Sequence, residues 1–275
     1  MFWNAKDGSV RIDDTEMDYV TFGMGKENLV MIPGLGDGLT TVKGMAAIMA
    51  FTYKIFAKNY KVYIFSRKNN LGKEIQHSSQ SIYSTREMAK DLAFALNALG
   101  IHQTNILGIS QGGMIAQYLA IDYPTLIDKL ILAVTLSKQN ETVQAVLNNW
   151  IHFANEGDYK ALIIDTAEKS YSENYLKTYR CLYPLLCRIG KPKDFRRFIA
   201  QAQSCAEHNA YELLNHIVCP TLIIGGRCDK IVTAAASVEI AKQIKNSELF
   251  LYEGLGHAAY EEAKDFNNRV IAFLK

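Results

Sequence analysis

The spacing of apolar and polar positions changes character twice along the chain. Two short alternating stretches, Ser9–Ile12 and Glu16–Phe22, flank Asp13 and Asp14 and predict an antiparallel hairpin. Short runs of consecutive apolar residues follow: Leu29–Ile32, Val62–Phe65, Asn105–Ile109 and Leu130–Val134. Between them the spacing becomes helical. Met45 to Lys58 predicts one helix and Gly112 to Asp122 another. Ser84-Thr85-Arg86-Glu87 is a capping box, followed by Met88, Leu92, Leu96 and Leu99 in helical register, with Gly100 as the terminating residue. Strands without a polar face, alternating with helices, predict parallel βαβ units covered on both sides.

From Lys138 to His216 this alternation stops. Val143, Val146, Leu147, Trp150 and Ala154 predict one helix, ended by Gly157. Asp158–Ser170 and Glu173–Arg188 predict two more, and Pro192 is placed to start a fourth that runs to about His208. The strand pattern then resumes with Thr221–Ile224, a helix at Ala234–Ile244, the strand Leu249–Tyr252 and a last helix to Lys275. The expected organisation is an α/β core in residues 1–137 and 217–275, interrupted by a helical cap in residues 138–216.

Composition narrows the function classes. With 275 residues, 49% of them hydrophobic, the chain can bury a core without help from disulfides or metal. Thirty basic and 28 acidic side chains leave a net charge of +2, which speaks against a broad basic face for nucleic acid. The cysteines, Cys181, Cys187, Cys205, Cys219 and Cys228, are odd in number and form no CxxC pair. Neither a disulfide framework nor a structural zinc site is expected. Residues 1–10 show no signal-peptide pattern, and no apolar run approaches the roughly 18 residues of a membrane span. The expectation is a cytoplasmic globular protein with a small-molecule partner, no nucleic acid, no membrane span and no cofactor; its oligomeric state is open.

The chemistry concentrates in Gly108-Ile109-Ser110-Gln111-Gly112, which follows one apolar strand and opens one helix. That is the setting of a nucleophile elbow. A serine on so tight a turn is held in a strained conformation, and residues two before and two after it must lack bulk. The helix that follows points its first amides at the place where negative charge develops. A serine hydroxyl needs a base. Among six histidines, His257 alone follows the last strand, in Gly254-Leu255-Gly256-His257, where two glycines allow the chain to turn back over the sheet edge. The base needs an orienting acid, and Asp229 lies beyond the carboxyl end of Thr221–Ile224, the side on which ligands bind in such sheets. After the preceding strand, Leu136-Ser137-Lys138 offers no carboxylate. The chain order is Ser110, Asp229, His257.

With these residues the sequence resembles the α/β-hydrolase fold superfamily over nearly its whole length, and within it the serine hydrolases that carry a helical cap after the sixth strand. The resemblance implies an α/β-hydrolase fold with a mostly parallel sheet and an N-terminal antiparallel hairpin. It implies Ser110 as nucleophile, Asp229 as acid and His257 as base. It maps the oxyanion loop onto Pro33-Gly34-Leu35-Gly36, so that the Leu35 and Gln111 amides form the oxyanion hole. Pro33 stands where the family usually has histidine, and Ser66 to Gly72 departs from the family's arginine–glycine-rich stretch.

The implied activity is hydrolysis of a small ester, thioester or related activated carbonyl through an acyl-enzyme on Ser110. Serine in that place disfavours the dehalogenases and epoxide hydrolases of the family, which use aspartate. Gln111 disfavours its proline-specific aminopeptidases, which usually carry tryptophan there. C–C bond hydrolysis and cofactor-free perhydrolysis stay open. From another class, a small-molecule receptor with a slow or vestigial triad is the alternative. Tyr175, Tyr179 and Tyr183 share one predicted helix face, as a wall of the pocket or as packing between cap helices. Asp37 is a substrate contact or a turn residue, and Arg67 a ligand for a substrate carboxylate or a solvated loop residue.

Overall fold

A computed structural model describes residues 3–72 and 82–275. It opens with β1 (Lys6–Ile12) and β2 (Thr15–Phe22), an antiparallel hairpin in register from Lys6–Thr21 to Ile12–Thr15. Next come β3 (Glu27–Ile32), α1 (Ala46–Thr52), β4 (Tyr60–Lys68), α2 (Thr85–Ala98), β5 (Thr104–Ile109), α3 (Gln111–Asp122) and β6 (Ile127–Ala133). A helical segment follows: α4 (Glu141–Asn155), α5 (Tyr159–Ser170), α6 (Glu173–Tyr179), α7 (Tyr183–Leu186) and α8 (Arg196–Ala206). The chain closes with β7 (Thr221–Gly226), α9 (Ala234–Gln243), β8 (Ser247–Tyr252), α10 (Ala259–Glu262) and α11 (Phe266–Leu274).

The eight strands form one sheet in the order β1-β2-β4-β3-β5-β6-β7-β8. β2 pairs antiparallel with β4, and every pairing from β4 to β8 is parallel. Alternation along β3 shows how the sheet is covered. Val30 and Ile32 pack with Leu92, Leu96, Ile115 and Leu119 of α2 and α3. Leu29 and Met31 face the other way, into the cluster that holds Ala50 of α1 and Phe266 and Val270 of α11. The capping box forms at the start of α2: the Glu87 amide donates to Ser84 Oγ (3.2 Å), and the Ser84 amide donates to Glu87 Oε2 (2.7 Å).

Several expected helices are shorter than their apolar spacing. α1 ends at Thr52, and tight turns carry the chain on, with Phe56 N donating to Tyr53 O and Ala57 N to Lys54 O. The descent is set by close packing on Gly25, where a Cβ would lie 1.9 Å from the Asn59 carbonyl oxygen. The single helix expected over Glu173–Arg188 is broken into α6, a 3₁₀ turn at Arg180–Leu182 and α7. Pro184 breaks it: it has no N–H, and its ring cannot pass the carbonyl of a continuous helix one turn back. The helix expected from Pro192 starts at Arg196, whose amide is taken by Asp194 Oδ1 (3.1 Å). The last helix is two, α10 and α11. His77 lies outside the described residues.

The segment between β6 and β7 lies over the loops at the carboxyl ends of the strands. Val146, Leu147 and Trp150 of α4, Leu162 of α5 and Phe198 of α8 share one buried cluster with Leu35, Ile231 and Val232, which belong to those loops. No helix among the described residues is long and apolar enough to cross a membrane.

Candidate active site

Ser110 is the hinge between β5 and α3. Its backbone sits at φ +54°, ψ −117°, a strained region for a residue with a side chain. Neighbouring groups hold it there: Ser110 N donates to Ala133 O (2.9 Å), and Thr135 Oγ1 donates to Ser110 O (2.8 Å). The flanking glycines are steric requirements. A Cβ on Gly108 would lie 2.5 Å from the Gly112 carbonyl oxygen, and one on Gly112 only 1.9 Å from that of Ile32. Strand and helix therefore approach closely enough to leave the Ser110 hydroxyl at the open end of the sheet.

The loops after β7 and β8 bring the other two side chains to it. A Cβ on Gly226 would lie 2.3 Å from the Gly256 carbonyl oxygen, so these loops pack backbone to backbone. His257 Nε2 lies 3.0 Å from Ser110 Oγ, and His257 Nδ1 lies 2.9 Å from Asp229 Oδ2. Asp229 Oδ1 accepts from the amides of Ile231 (2.8 Å) and Val232 (3.0 Å). Burial by itself pushes the Asp229 carboxyl up. The His257 charge and hydrogen bond, with the two amides, outweigh it and hold the carboxyl below the usual carboxylate range.

Leu35 and Gln111 both lie beside Ser110. Leu35 opens a short 3₁₀ turn, Leu35–Gly38, and Gln111 is the first residue of α3. Amides in such first positions have no partner within their own helix. Gly34, just before Leu35, packs so closely that a Cβ there would lie 3.2 Å from Ser110 Cβ.

A buried polar network behind these two amides was not legible in the sequence. Arg67 is neither a solvated loop residue nor a free ligand. It lies in β4, is 3% exposed, and donates through Nη2 to Pro33 O and to Gln111 Oε1 (2.9 Å). Gln111 Nε2 donates in turn to Gln201 O (2.9 Å). Asp37 is buried, not a turn residue in water, and it lines the cavity that Ser110 opens into. Its Oδ2 accepts from Arg197 Nη2 (2.6 Å), Gln201 Nε2 (3.0 Å) and Arg67 N (3.2 Å). Burial raises the Asp37 carboxyl, and the Arg197 and Arg67 charges more than reverse that. One signal was present in the sequence: a glutamine at the buried start of a helix needs a hydrogen-bond partner. Replacing Arg67 by Met should cost about 3 kcal/mol of stability, because it strands Gln111 Oε1 and removes a charge facing Asp37. Urea unfolding measures this, and a loss below about 1 kcal/mol would contradict the network as described.

Ser110 and His257 open into a cavity of about 360 Å³. Its walls are mostly apolar, with Leu39, Met45 and Met49 on one side and Trp150, Ile163 and Phe198 from the helical segment above. The tyrosine face expected in that segment divides. Tyr171, Tyr175 and Tyr179 stack on one another at 4.5 and 4.2 Å between ring centroids, while the Tyr183 hydroxyl lies 2.9 Å from Glu168 Oε1. None of these four is among the described residues lining the cavity. His208 is buried away from Ser110, 2.8 Å from Thr85 Oγ1, and burial pushes its imidazole down to about 3. Among the described residues no group of three or more His, Cys, Asp or Glu is placed to hold a metal ion.

Comparison with known proteins agrees with this architecture. Residues 27–161 match the model of the alpha/beta hydrolase fold family. The chain is 24% identical to a 2-hydroxy-6-oxononadienedioate/2-hydroxy-6-oxononatrienedioate hydrolase of Paraburkholderia xenovorans, over 95% of this chain and 91% of that protein. It is 23% identical to 3-oxoadipate enol-lactonase 2 of Acinetobacter baylyi, over 95% and 94%. Among solved structures, an alpha/beta hydrolase enzyme from a Medee basin deep-sea metagenome library superposes with a TM-score of 0.83 at 23% identity, covering 97% of each chain. The sheet order, the serine turn between β5 and α3 and these matches lead to one assignment: the chain has the α/β-hydrolase fold, and its residues 27–161 are similar to that family of enzymes.

Proposed function

We propose that the chain is a serine hydrolase that cleaves a small ester, thioester or related activated carbonyl compound. The observation that carries this reading is the pair of contacts at the cavity floor, Ser110 Oγ to His257 Nε2 at 3.0 Å and His257 Nδ1 to Asp229 Oδ2 at 2.9 Å. In the proposed cycle Ser110 Oγ attacks the carbonyl carbon as its proton passes to His257 Nε2. Asp229 holds the imidazole with Nδ1 protonated and stabilises the imidazolium. The negative charge on the carbonyl oxygen is met by the Leu35 and Gln111 amides, at the positive ends of their turns. His257 then gives its proton to the leaving group, and water, deprotonated by His257, releases the acid and restores Ser110.

The helical segment 138–216 serves in this reading as a cap that forms the roof of the site, through Trp150, Ile163 and Phe198. The five cysteines, all free thiols, suit a reducing, cytoplasmic setting. A second reading, hydrolysis of a C–C bond beside a ketone, is favoured by the name of the Paraburkholderia xenovorans relative and would use the same three residues.

The test is multiple-turnover hydrolysis of a panel of p-nitrophenyl and thioester substrates of increasing acyl length. Steady turnover that depends on acyl length is expected. One acylation event per chain with no further release would instead mark a receptor that retains the triad.

A further inference from the structure

We propose that the site takes an uncharged, largely apolar acyl group and discriminates against substrates that carry a second carboxylate. This rests on the serine-hydrolase reading and adds the substrate class to it. Among the described residues lining the cavity there is neither lysine nor arginine. The charged or titratable side chains that do line it are Asp37, His257, Glu261, Tyr53 and Tyr260. His257 faces Ser110 and Asp229. Asp37 is engaged with Arg197, Arg67 and Gln201. Glu261 lies on the wall that also holds Tyr260 and accepts a hydrogen bond from the Tyr171 hydroxyl.

Two buried guanidinium groups, those of Arg67 and Arg197, lie outside the lining, and Arg67 keeps Nε and Nη1 buried without a hydrogen-bond partner among the described residues. Arg67 Nη2 donates to Pro33 O and Gln111 Oε1. Arg197 donates to Lys68 O (2.6 Å), Arg67 O (2.9 Å) and Asp37 Oδ2 (2.6 Å). Neither arginine lines the cavity. A carboxylate carried in on the acyl chain would thus exchange water for Met, Leu, Trp and Phe side chains. No cation among the described lining residues would compensate, and Glu261 would stand on the same wall with like charge. A methyl group in the same place would gain contacts instead. The relatives named for a dienedioate or for 3-oxoadipate carry a second carboxylate in those names, so this chain parts from them in the one feature the cavity decides.

The discriminating pair is p-nitrophenyl hexanoate and the mono-p-nitrophenyl ester of adipic acid. The acyl chains are equal in length and the leaving group is the same; a terminal methyl replaces a terminal carboxylate. The hexanoate should have a kcat/KM at least about 100-fold higher. Glu261 is exposed, so Glu261→Gln should raise kcat/KM for the adipate ester and narrow that ratio by about twofold. A wild-type ratio within about fivefold of unity, or one that favours the adipate ester, overturns the proposal. A ratio unmoved by Glu261→Gln overturns the part given to Glu261. If neither ester is turned over, it is the serine-hydrolase reading that fails. Calorimetric titration with 1-hexanol and 6-hydroxyhexanoate then decides the cavity's preference on its own: tighter binding of the alcohol supports the proposal, and equal or tighter binding of the hydroxy acid overturns it.

Discussion

Ser110→Ala is expected to lower kcat for an activated ester by at least about 10⁴-fold and to leave the unfolding midpoint nearly unchanged. The two halves of that expectation have separate grounds. Alanine keeps the Cβ, so the strained turn at φ +54° is unaltered, as are the close approaches of Gly108 and Gly112. The Ser110 N and O contacts to Ala133 and Thr135 are backbone contacts on the Ser110 side and survive. What disappears is Oγ, the atom 3.0 Å from His257 Nε2. The residual rate would come from the cavity and the two amides acting on a water molecule. A loss of less than tenfold in a steady-state assay would remove Ser110 as nucleophile.

Asp229→Asn is expected to lower kcat by about 10⁴-fold, with substrate binding little changed. The hydrogen-bond geometry gives the reason. Oδ1 accepts from the Ile231 and Val232 amides, so an asparagine placed there keeps its oxygen on those amides and turns its NH₂ towards His257 Nδ1. Nδ1 must then accept, which puts the imidazole proton on Nε2, facing Ser110. The imidazole in that tautomer cannot take the serine proton. A stability difference accompanies the change. The Asp229 carboxyl is held below its unfolded value near 3.9, so its contribution is fully present above about pH 4 and is lost as the pH falls through the folded value. The gap in unfolding free energy between wild type and Asp229→Asn should therefore be wide at pH 7 and shrink in acid. A variant with near-normal kcat would place the orienting acid elsewhere.

What the sequence made legible, and what it did not, follows the range of the interactions. The inner strands β3 to β7 could be read because they are buried on both faces and bounded by turn residues, and the hairpin because it alternates. Ser110 could be read because a close strand-to-helix crossing admits only glycine at 108 and 112. Asp229 and His257 could be placed only relative to strand ends, since the contact between their loops at Gly226 and Gly256 joins residues 30 apart. Helix lengths were overestimated where one residue outweighed the apolar spacing. Pro184, in the first turn of α7, interrupts the helix that the leucine and tyrosine pattern would carry through from α6. Arg67, Asp37 and Gln201 were misread or missed because their partners lie 30 to 164 positions away, and a charged residue in a polar stretch reads as solvated. The tyrosines of α6 were legible as a face, but what that face packs against depends on where α6 lies, which periodicity does not give.

The central claim is that Ser110 carries the acyl group. It is tested most directly by treating the protein with a fluorophosphonate, digesting it, and locating the adduct by mass spectrometry. The account expects one adduct, on the peptide containing Ser110, at a rate that falls steeply in His257→Ala, and no adduct in Ser110→Ala. An adduct on another residue, or labelling retained in Ser110→Ala, would contradict it.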